Sequence, residues 1–264
     1  MFDLRNWKKE NHDFLKTSIL DSPGLAAFDF DNTLIKGDLG EAVMLSLLEN
    51  GLQKLDKNFE IHFRDRLNAK RLWDEKDTFQ EELTDYIWTE YQYLMESQGL
   101  EVAYRWSSFL FSGWTKAELQ SITRTVWNSK LKNNVYTEMY ELIRFLLQNN
   151  WQAYIITASP TWVIQEVIEE FNLPGEHVLG MNLKLNDLGV ATEEIIEPFT
   201  YGKGKVECLS KVCNEQPDLS FGDSENDLPL LKSAKLKGIL IDKGNPALVK
   251  QCEDIGCLIQ PVFK

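Results

Sequence analysis

No apolar stretch in these 264 residues is long enough to span a bilayer. The opening segment, MFDLRNWKKENHDFLKTSIL, has neither the apolar run nor the small-residue cleavage site of a secretory signal. Cysteine is scarce: Cys208, Cys213, Cys252 and Cys257 fall late in the chain, without the paired CxxC spacing of a zinc site. A chain of this length needs no disulfide staples, so the four read as buried or reduced thiols. Positive charge is also short, with 28 Lys and Arg against 41 Asp and Glu and no basic run. That balance excludes nucleic acid and anionic membrane surfaces as partners. Internal repeats and low-complexity segments are absent. What these absences leave is a soluble, cytoplasmic protein. Its net charge of −13 would also repel a phosphorylated ligand. A phosphate site here therefore needs local positive charge from a metal, a lysine or a helix N-terminus.

Hydrophobic residues make up 43% of the chain, enough for one large domain or a core domain with a smaller one. Residues 24–34 hold a short apolar run, LAAF, that stops abruptly at Asp29-Phe30-Asp31, the mark of a buried strand delivering carboxylates at its C-terminal end. From about residue 39 to 147 the texture turns helical. Phe79, Leu83, Ile87, Tyr91 and Leu94 recur at helical spacing, as do Leu119, Ile122 and Val126, and then Met139, Leu142, Ile143 and Leu146. Thr115 and Glu118 form a capping box at the start of the second of these helices. Strand texture returns at 151–156. There Ser159 fits an N-cap and Pro160 the first position of a helix that runs through Val167 and Ile168 to about Leu173. Segments 178–185 and 190–196 flank Asn186-Asp187-Leu188-Gly189 as a hairpin. A helix over 205–212 follows, then short strands at 219–221, 238–241 and 257–259. The expected fold is α/β, with a mostly parallel sheet and a helical insert after the first strand. Ligands in such sheets bind beyond the carboxyl ends of the strands, where the acidic clusters fall.

Asp29 and Asp31 are separated by one residue, so continued extended backbone would point both carboxylates to one side. Held close, they stay ionised only beside a cation; otherwise one keeps its proton. Either outcome is useful, as a metal-bound nucleophile beside an acid/base. Alone, the pattern is equally that of an acidic turn. A second cluster, Gly222-Asp223-Ser224-Glu225-Asn226-Asp227, again follows an apolar strand and offers the hard oxygen ligands that suit magnesium. Its spacing does not match a calcium-binding EF-hand loop. Thr157 ends a third strand with an expected helix N-terminus behind it, a natural anion site. Lys205 opens a helix after a flexible stretch, although a single lysine is usually solvated.

Taken together, FDFDNTL (28–34), IITAS (155–159), GKGK (202–205) and GDSENDLPLL (222–231) resemble the haloacid-dehalogenase superfamily in motif order and strand context. The hairpin and the last motif resemble its phosphoserine-phosphatase-like branch. The resemblance implies a Rossmann-like core built from 1–38 and 148–264 and a helical cap from 39–147. It also implies a Mg²⁺-dependent phosphatase acting on a small phosphorylated metabolite, with Asp29 as nucleophile and Asp31 as acid/base. Phosphate would be held by Thr157, Ala158 and Lys205, with Lys203 as the alternative lysine. The metal would be held by Asp29, Asp31 and Asp223, with Asp227 in support. Members that cleave carbon–halogen bonds lack an acid/base at the position of Asp31, which disfavours a dehalogenase. A phosphomutase, another phosphotransferase and a non-enzymatic scaffold remain as alternatives. For specificity the resemblance points to Asp38, where the branch has Glu, to Ser159, and to a cap arginine among Arg64, Arg66 and Arg71. Trp73, Trp88, Trp106, Trp114 and Trp127 could box an ammonium group, although at helical spacing such rings are more often core. Phosphoserine, phosphocholine and phosphoethanolamine are the expected substrate candidates. Nothing in the sequence signals oligomeric state, and segment 1–22 reads as a helix packing on the core or on a partner.

Overall fold

The protein is described here from a computed structural model covering residues 6–50, 54 and 58–263. In chain order, α1 (Lys9–Asp21) leads into β1 (Leu25–Phe28), followed by α2 (Leu39–Asn50), α3 (Arg66–Asp74), α4 (Gln80–Gln98), α5 (Leu100–Ser107), α6 (Lys116–Val126) and α7 (Thr137–Gln148). Then come β2 (Gln152–Pro160), α8 (Thr161–Gln165), β3 (Val178–Met181), β4 (Leu183–Leu185) and β5 (Ala191–Ile195). The chain finishes with α9 (Lys203–Cys213), β6 (Leu219–Gly222), α10 (Leu228–Ser233), β7 (Lys237–Asp242), α11 (Pro246–Asp254) and β8 (Leu258–Pro261). No described helix is long and apolar enough to cross a membrane.

Two compact units result. The larger contains Met1–Gly40, Arg124–Met181 and Glu197–Lys264, and the smaller contains Glu41–Thr123 and Asn182–Ile196. Residues 124–147, expected in the helical insert, therefore cluster with the sheet, and residues 182–196, expected in the core, cluster with the helices.

In the larger unit the described strands form a parallel sheet in the order β3-β2-β1-β6-β7-β8. The chain lays β2 and β3 on one side of β1, then crosses to place β6, β7 and β8 on the other. The reversal falls between β1 and β6, which opens a crevice at their carboxyl ends. Every residue of β1 is buried, because a central parallel strand is covered on both faces; that is why LAAF does not alternate. Phe28 stacks on Phe221 of β6 with ring centroids 4.5 Å apart. Leu25, Ala27, Tyr154, Ile156, Leu209 and Leu230 form a cluster beside them. Helix α1 packs against β8, with Asn11 Nδ2 donating to the Ile259 carbonyl and to Gln260 Oε1. The N-terminal segment thus packs on the core, with residues 1–5 outside the described residues.

Two local expectations are corrected. Ser159 is not an N-cap, because β2 runs on to Pro160 and α8 starts at Thr161 without a side-chain cap. The Ser159 hydroxyl is spent on a carboxylate instead, and Thr161 Oγ1 accepts from the Gly180 amide. The helix then breaks into a separate 3₁₀ turn at Ile168–Phe171. Segment 178–185 is likewise not one strand. β3 pairs in parallel with β2, whereas β4 pairs antiparallel with β5.

In the smaller unit the hairpin of β4 and β5 is anchored by reciprocal bonds, Gly113 N to Ala191 O and Ala191 N to Trp114 O. Aromatic rings fill its interior, with Phe63 against Phe59, Tyr86, Trp106 and Phe109. Trp73 and Trp114 are buried here, and Trp127 is buried in the larger unit; all three act as core. The capping box holds: Thr115 N and Oγ1 both donate to Glu118 Oε2 at 2.9 Å, and Glu118 N donates to Thr115 Oγ1.

Candidate active site

The β1 ladder continues one residue past the strand, with Asp29 N donating to the Phe221 carbonyl at 2.9 Å. Backbone extension then stops. Thr33 N and Leu34 N fold back onto the Phe30 carbonyl, and Asn32 takes a left-handed φ of 58°. Asp29 and Asp31 consequently bind different partners, and the extended backbone on which a shared direction was conditional ends at Asp29. Asp29 Oδ2 accepts from Thr33 Oγ1 at 3.1 Å, and Oδ1 accepts from Lys205 Nζ at 2.7 Å. Asp31 Oδ1 accepts from Leu39 N at 2.7 Å, and Oδ2 accepts from Ser159 Oγ at 2.6 Å.

At the end of β6 the backbone turns sharply through Gly222. A Cβ there would overlap the Asp227 side chain, so only glycine admits the return of that residue. Asp227 is fully buried and fully used: Oδ2 accepts from Asp223 N, Ser224 N and Ser224 Oγ, and Oδ1 accepts from Lys205 Nζ at 2.6 Å. Lys205, not Lys203, reaches the acids; it lies in the first turn of α9 and is fully buried, while Lys203 is exposed. The start of that helix is tied to the β6 loop by Gly202 N donating to Asn226 Oδ1. Asp223 meets a cation of its own, with Lys243 Nζ 2.5 Å from its Oδ2.

Lys243 was not foreseen. A lone lysine in Asp242-Lys243-Gly244-Asn245 looks solvated, and its side chain is 43% exposed. The available signal was positional, since it follows β7 at the same carboxyl edge of the sheet. Thr157 is 1% exposed; its Oγ1 accepts from Ser159 N at 3.1 Å and lies 3.5 Å from Asp31 Oδ2. Ala158 is half-buried, and so is Asp38, whose charge is felt at Asp31. The helix N-terminus expected behind Thr157 begins only at Thr161. Of the arginines weighed as carboxylate readers, Arg64 is clamped on Glu90 at 2.8 and 3.0 Å and lies over the Tyr93 ring. Arg71 pairs with Glu75 and Asn68.

Burial is the largest influence on Asp29, Asp31 and Asp223. It pushes Asp29 up to about 8, aided by the Asp227 and Asp223 charges and opposed by Lys205. It holds Asp31 well above the usual carboxylate range, with Asp38 and Asp29 adding to it. It raises Asp223 to about 6 against the pull of Lys243. Burial works against the Lys205 ammonium, but Asp227 and Asp29 more than offset it and hold that group above its ordinary value. Carboxylate oxygens of Asp29, Asp223 and Asp227 lie within 4.8 Å of one another. Hard oxygen donors this close, with Asp31 adding a fourth acid against two lysines, fit a divalent cation such as magnesium.

Comparison with known proteins bears on the family and the fold. The profile of the haloacid dehalogenase-like hydrolase family matches residues 26–232. A curated relative, phosphoserine phosphatase SerB1 of Mycobacterium tuberculosis H37Rv, is 22% identical over 80% of this chain; the chain spans 63% of that relative's length. Among solved structures, a conserved protein of unknown function from Anaerococcus prevotii superposes with a TM-score of 0.74 at 19% identity, covering 96% of this chain and 92% of that one. A phospho-aspartyl intermediate analogue of a phosphoserine phosphatase gives 0.56 at 15% identity, covering 92% and 94%.

Proposed function

The chain belongs to the haloacid dehalogenase-like hydrolase family, and from that premise we propose that it is a cytoplasmic, magnesium-dependent phosphatase of small phosphomonoesters. One observation carries the reading: a buried ammonium, Lys205 Nζ, sits 2.7 Å from Asp29 Oδ1 while Asp31 is held apart on donors of its own. Two acids a residue apart are thereby given different tasks. Asp29, beside fixed positive charge, is the nucleophile. Asp31, raised by burial and by the Asp38 and Asp29 charges where Asp29 has the Lys205 ammonium to oppose its burial, is the acid.

In the first step an Asp29 oxygen forms a bond to phosphorus while the bond from phosphorus to the ester oxygen breaks. Asp31 gives its proton to that departing oxygen. In the second step Asp31, now a carboxylate, takes a proton from water as the water oxygen bonds to phosphorus, and the Asp29 carboxylate leaves with inorganic phosphate as the product. Lys205 neutralises charge on the phosphoryl oxygens, and Thr157 and Ala158 would hold those oxygens beside it. Magnesium would be held by the Asp29 and Asp223 carboxylates and the Asp31 carbonyl, and it would supply charge neutralisation at the phosphoryl group. Asp227, with both oxygens already committed, serves as the strut for Lys205 and the Asp223 turn.

The substrate class proposed is a phosphomonoester carrying a primary or quaternary ammonium group, such as phosphoserine, phosphoethanolamine or phosphocholine, with Asp38 facing the cationic end. Support comes from the name of the curated relative and from the acidic surroundings of Asp31. The test is phosphate release from p-nitrophenyl phosphate and from a panel of such metabolites with Mg²⁺. Asp29→Asn should remove turnover by about 10⁴-fold or more with the thermal melt retained. Near-parental turnover in that variant would remove the nucleophile assignment, and no release from any ester would remove the phosphatase reading.

A further inference from the structure

Asp31 is gripped at both oxygens by groups from two separate parts of the chain. The Leu39 amide donates to Oδ1 at 2.7 Å and the Ser159 hydroxyl to Oδ2 at 2.6 Å. Thr157 Oγ1, at 3.5 Å from Oδ2, is too distant to hold it. Space for the Ser159 hydroxyl is provided by Gly40. A Cβ there would overlap Ser159 Oγ, with Ser159 Cβ 3.0 Å and Asp38 Oδ1 3.4 Å away. Gly40 is the second residue of α2 and has no positive φ to require glycine. In a helix glycine is inferior to alanine, so its presence is explained by the close approach and not by backbone conformation.

We infer that Ser159 is a positioning residue for Asp31, with Gly40 as the gap that admits its hydroxyl. With Oδ1 fixed by the Leu39 amide, the carboxyl is left to present its proton from Oδ2, and Ser159 sets the rotation of that group. When the proton passes to the departing oxygen, Asp31 becomes a carboxylate and the Ser159 hydrogen bond becomes charge-assisted and stronger. The contact therefore favours the transition state over the ground state. Its effect must depend on how much the leaving group needs a proton. Alkoxides need it; p-nitrophenolate, a stable anion, leaves without it.

The inference rests on the phosphatase reading, and leaving-group dependence separates the two. The quantity to measure is kcat/KM, which reports phosphoryl transfer to Asp29 and not the later hydrolysis, for an alkyl phosphomonoester and for p-nitrophenyl phosphate. In Ser159→Ala the loss on the alkyl ester should exceed the loss on p-nitrophenyl phosphate by about ten- to a hundredfold, the value of one charge-assisted hydrogen bond. Gly40→Ala should show the same selective loss despite its better helix propensity. In the Ser159→Ala background the Gly40→Ala effect should shrink, because the oxygen it collides with is gone. Melting curves for all three confirm that folded protein is compared. Equal losses on both esters, no loss on either, or additive effects in the double variant overturn the positioning role while the phosphatase reading stands. A parent chain that hydrolyses neither ester overturns that reading and the positioning role with it.

Discussion

Two ion pairs of nearly identical length differ in everything else. Lys205 and Asp227 in the larger unit meet at 2.6 Å with neither side chain exposed, while Lys54 and Glu118 in the smaller unit meet at 2.7 Å with 32% and 41% of their side chains in solvent. In the interior the attraction is strong, but so is the cost of removing both charges from water. At the surface both terms shrink together. The larger unit adds Asp29 to its pair, so one lysine serves two carboxylates. The smaller unit keeps its charges mostly at the rim and gives its interior to aromatic rings. Distance alone therefore says little about what a pair contributes. Burial decides whether it is a working part or a decoration.

The largest effect should come from Lys205→Met, which leaves Asp29 and Asp227 buried without a cation. A loss of about 3–5 kcal/mol is expected, read from urea unfolding in the absence of metal. Asp227→Asn in the same background should cost less than it does alone, because the two act as one unit. By contrast Lys54→Ala should cost under about 1 kcal/mol. Similar losses in both units would break the contrast drawn here.

A second, smaller effect concerns pH. Asp29 and Asp223 bind protons more tightly in the folded chain, at about 8 and about 6 against 3.8. Groups raised in this way stabilise fully below about pH 3.8 and lose that contribution as pH rises through about 6 and then 8. Metal-free protein should lose stability across that window. Added Mg²⁺ should raise the melting temperature more at pH 8 than at pH 5. An equal rise at both would place the cation elsewhere.

How much of this was legible in the sequence follows the same division. β1 was legible because two-sided burial writes an unbroken apolar run, and the β6 loop because it repeats that signature before Asp223. Lys205 could be preferred over Lys203 only through the resemblance. Burial, which actually separates the two, comes from the packing of α9. Ser159 was misread as a cap because its real partner, Asp31, lies 128 residues away and no local pattern encodes that contact. The hairpin was found, but its place in the smaller unit depends on the bonds between Ala191 and the Gly113–Trp114 backbone. Lys243 was missed because an exposed lysine carries no periodic mark. Local signals gave the elements, and long-range contacts assigned their partners.

The smallest effect is the one that isolates the exposed pair. Glu118 is held down to about 2 from 4.5, first by the Lys54 ammonium and then by the Thr115 amide and hydroxyl. A carboxylate lowered on folding stabilises above its unfolded value and loses that contribution as pH falls from about 4.5 through about 2. This is the opposite sign to the acids of the larger unit. Glu118→Gln keeps an oxygen for the capping box but removes the charge, so its cost should be a few tenths of a kcal/mol at low salt and shrink as salt screens the pair. Thr115→Ala removes the cap itself and should cost about 1 kcal/mol, nearly independent of salt. Unfolding of both variants and the parent, followed from pH 7 to pH 2 at two salt concentrations, separates the two contributions. If Glu118→Gln proves as costly as Lys205→Met, or its cost fails to fade towards pH 2, then this pair is not behaving as a solvent-screened one, and burial is not what distinguishes it from the buried lysine.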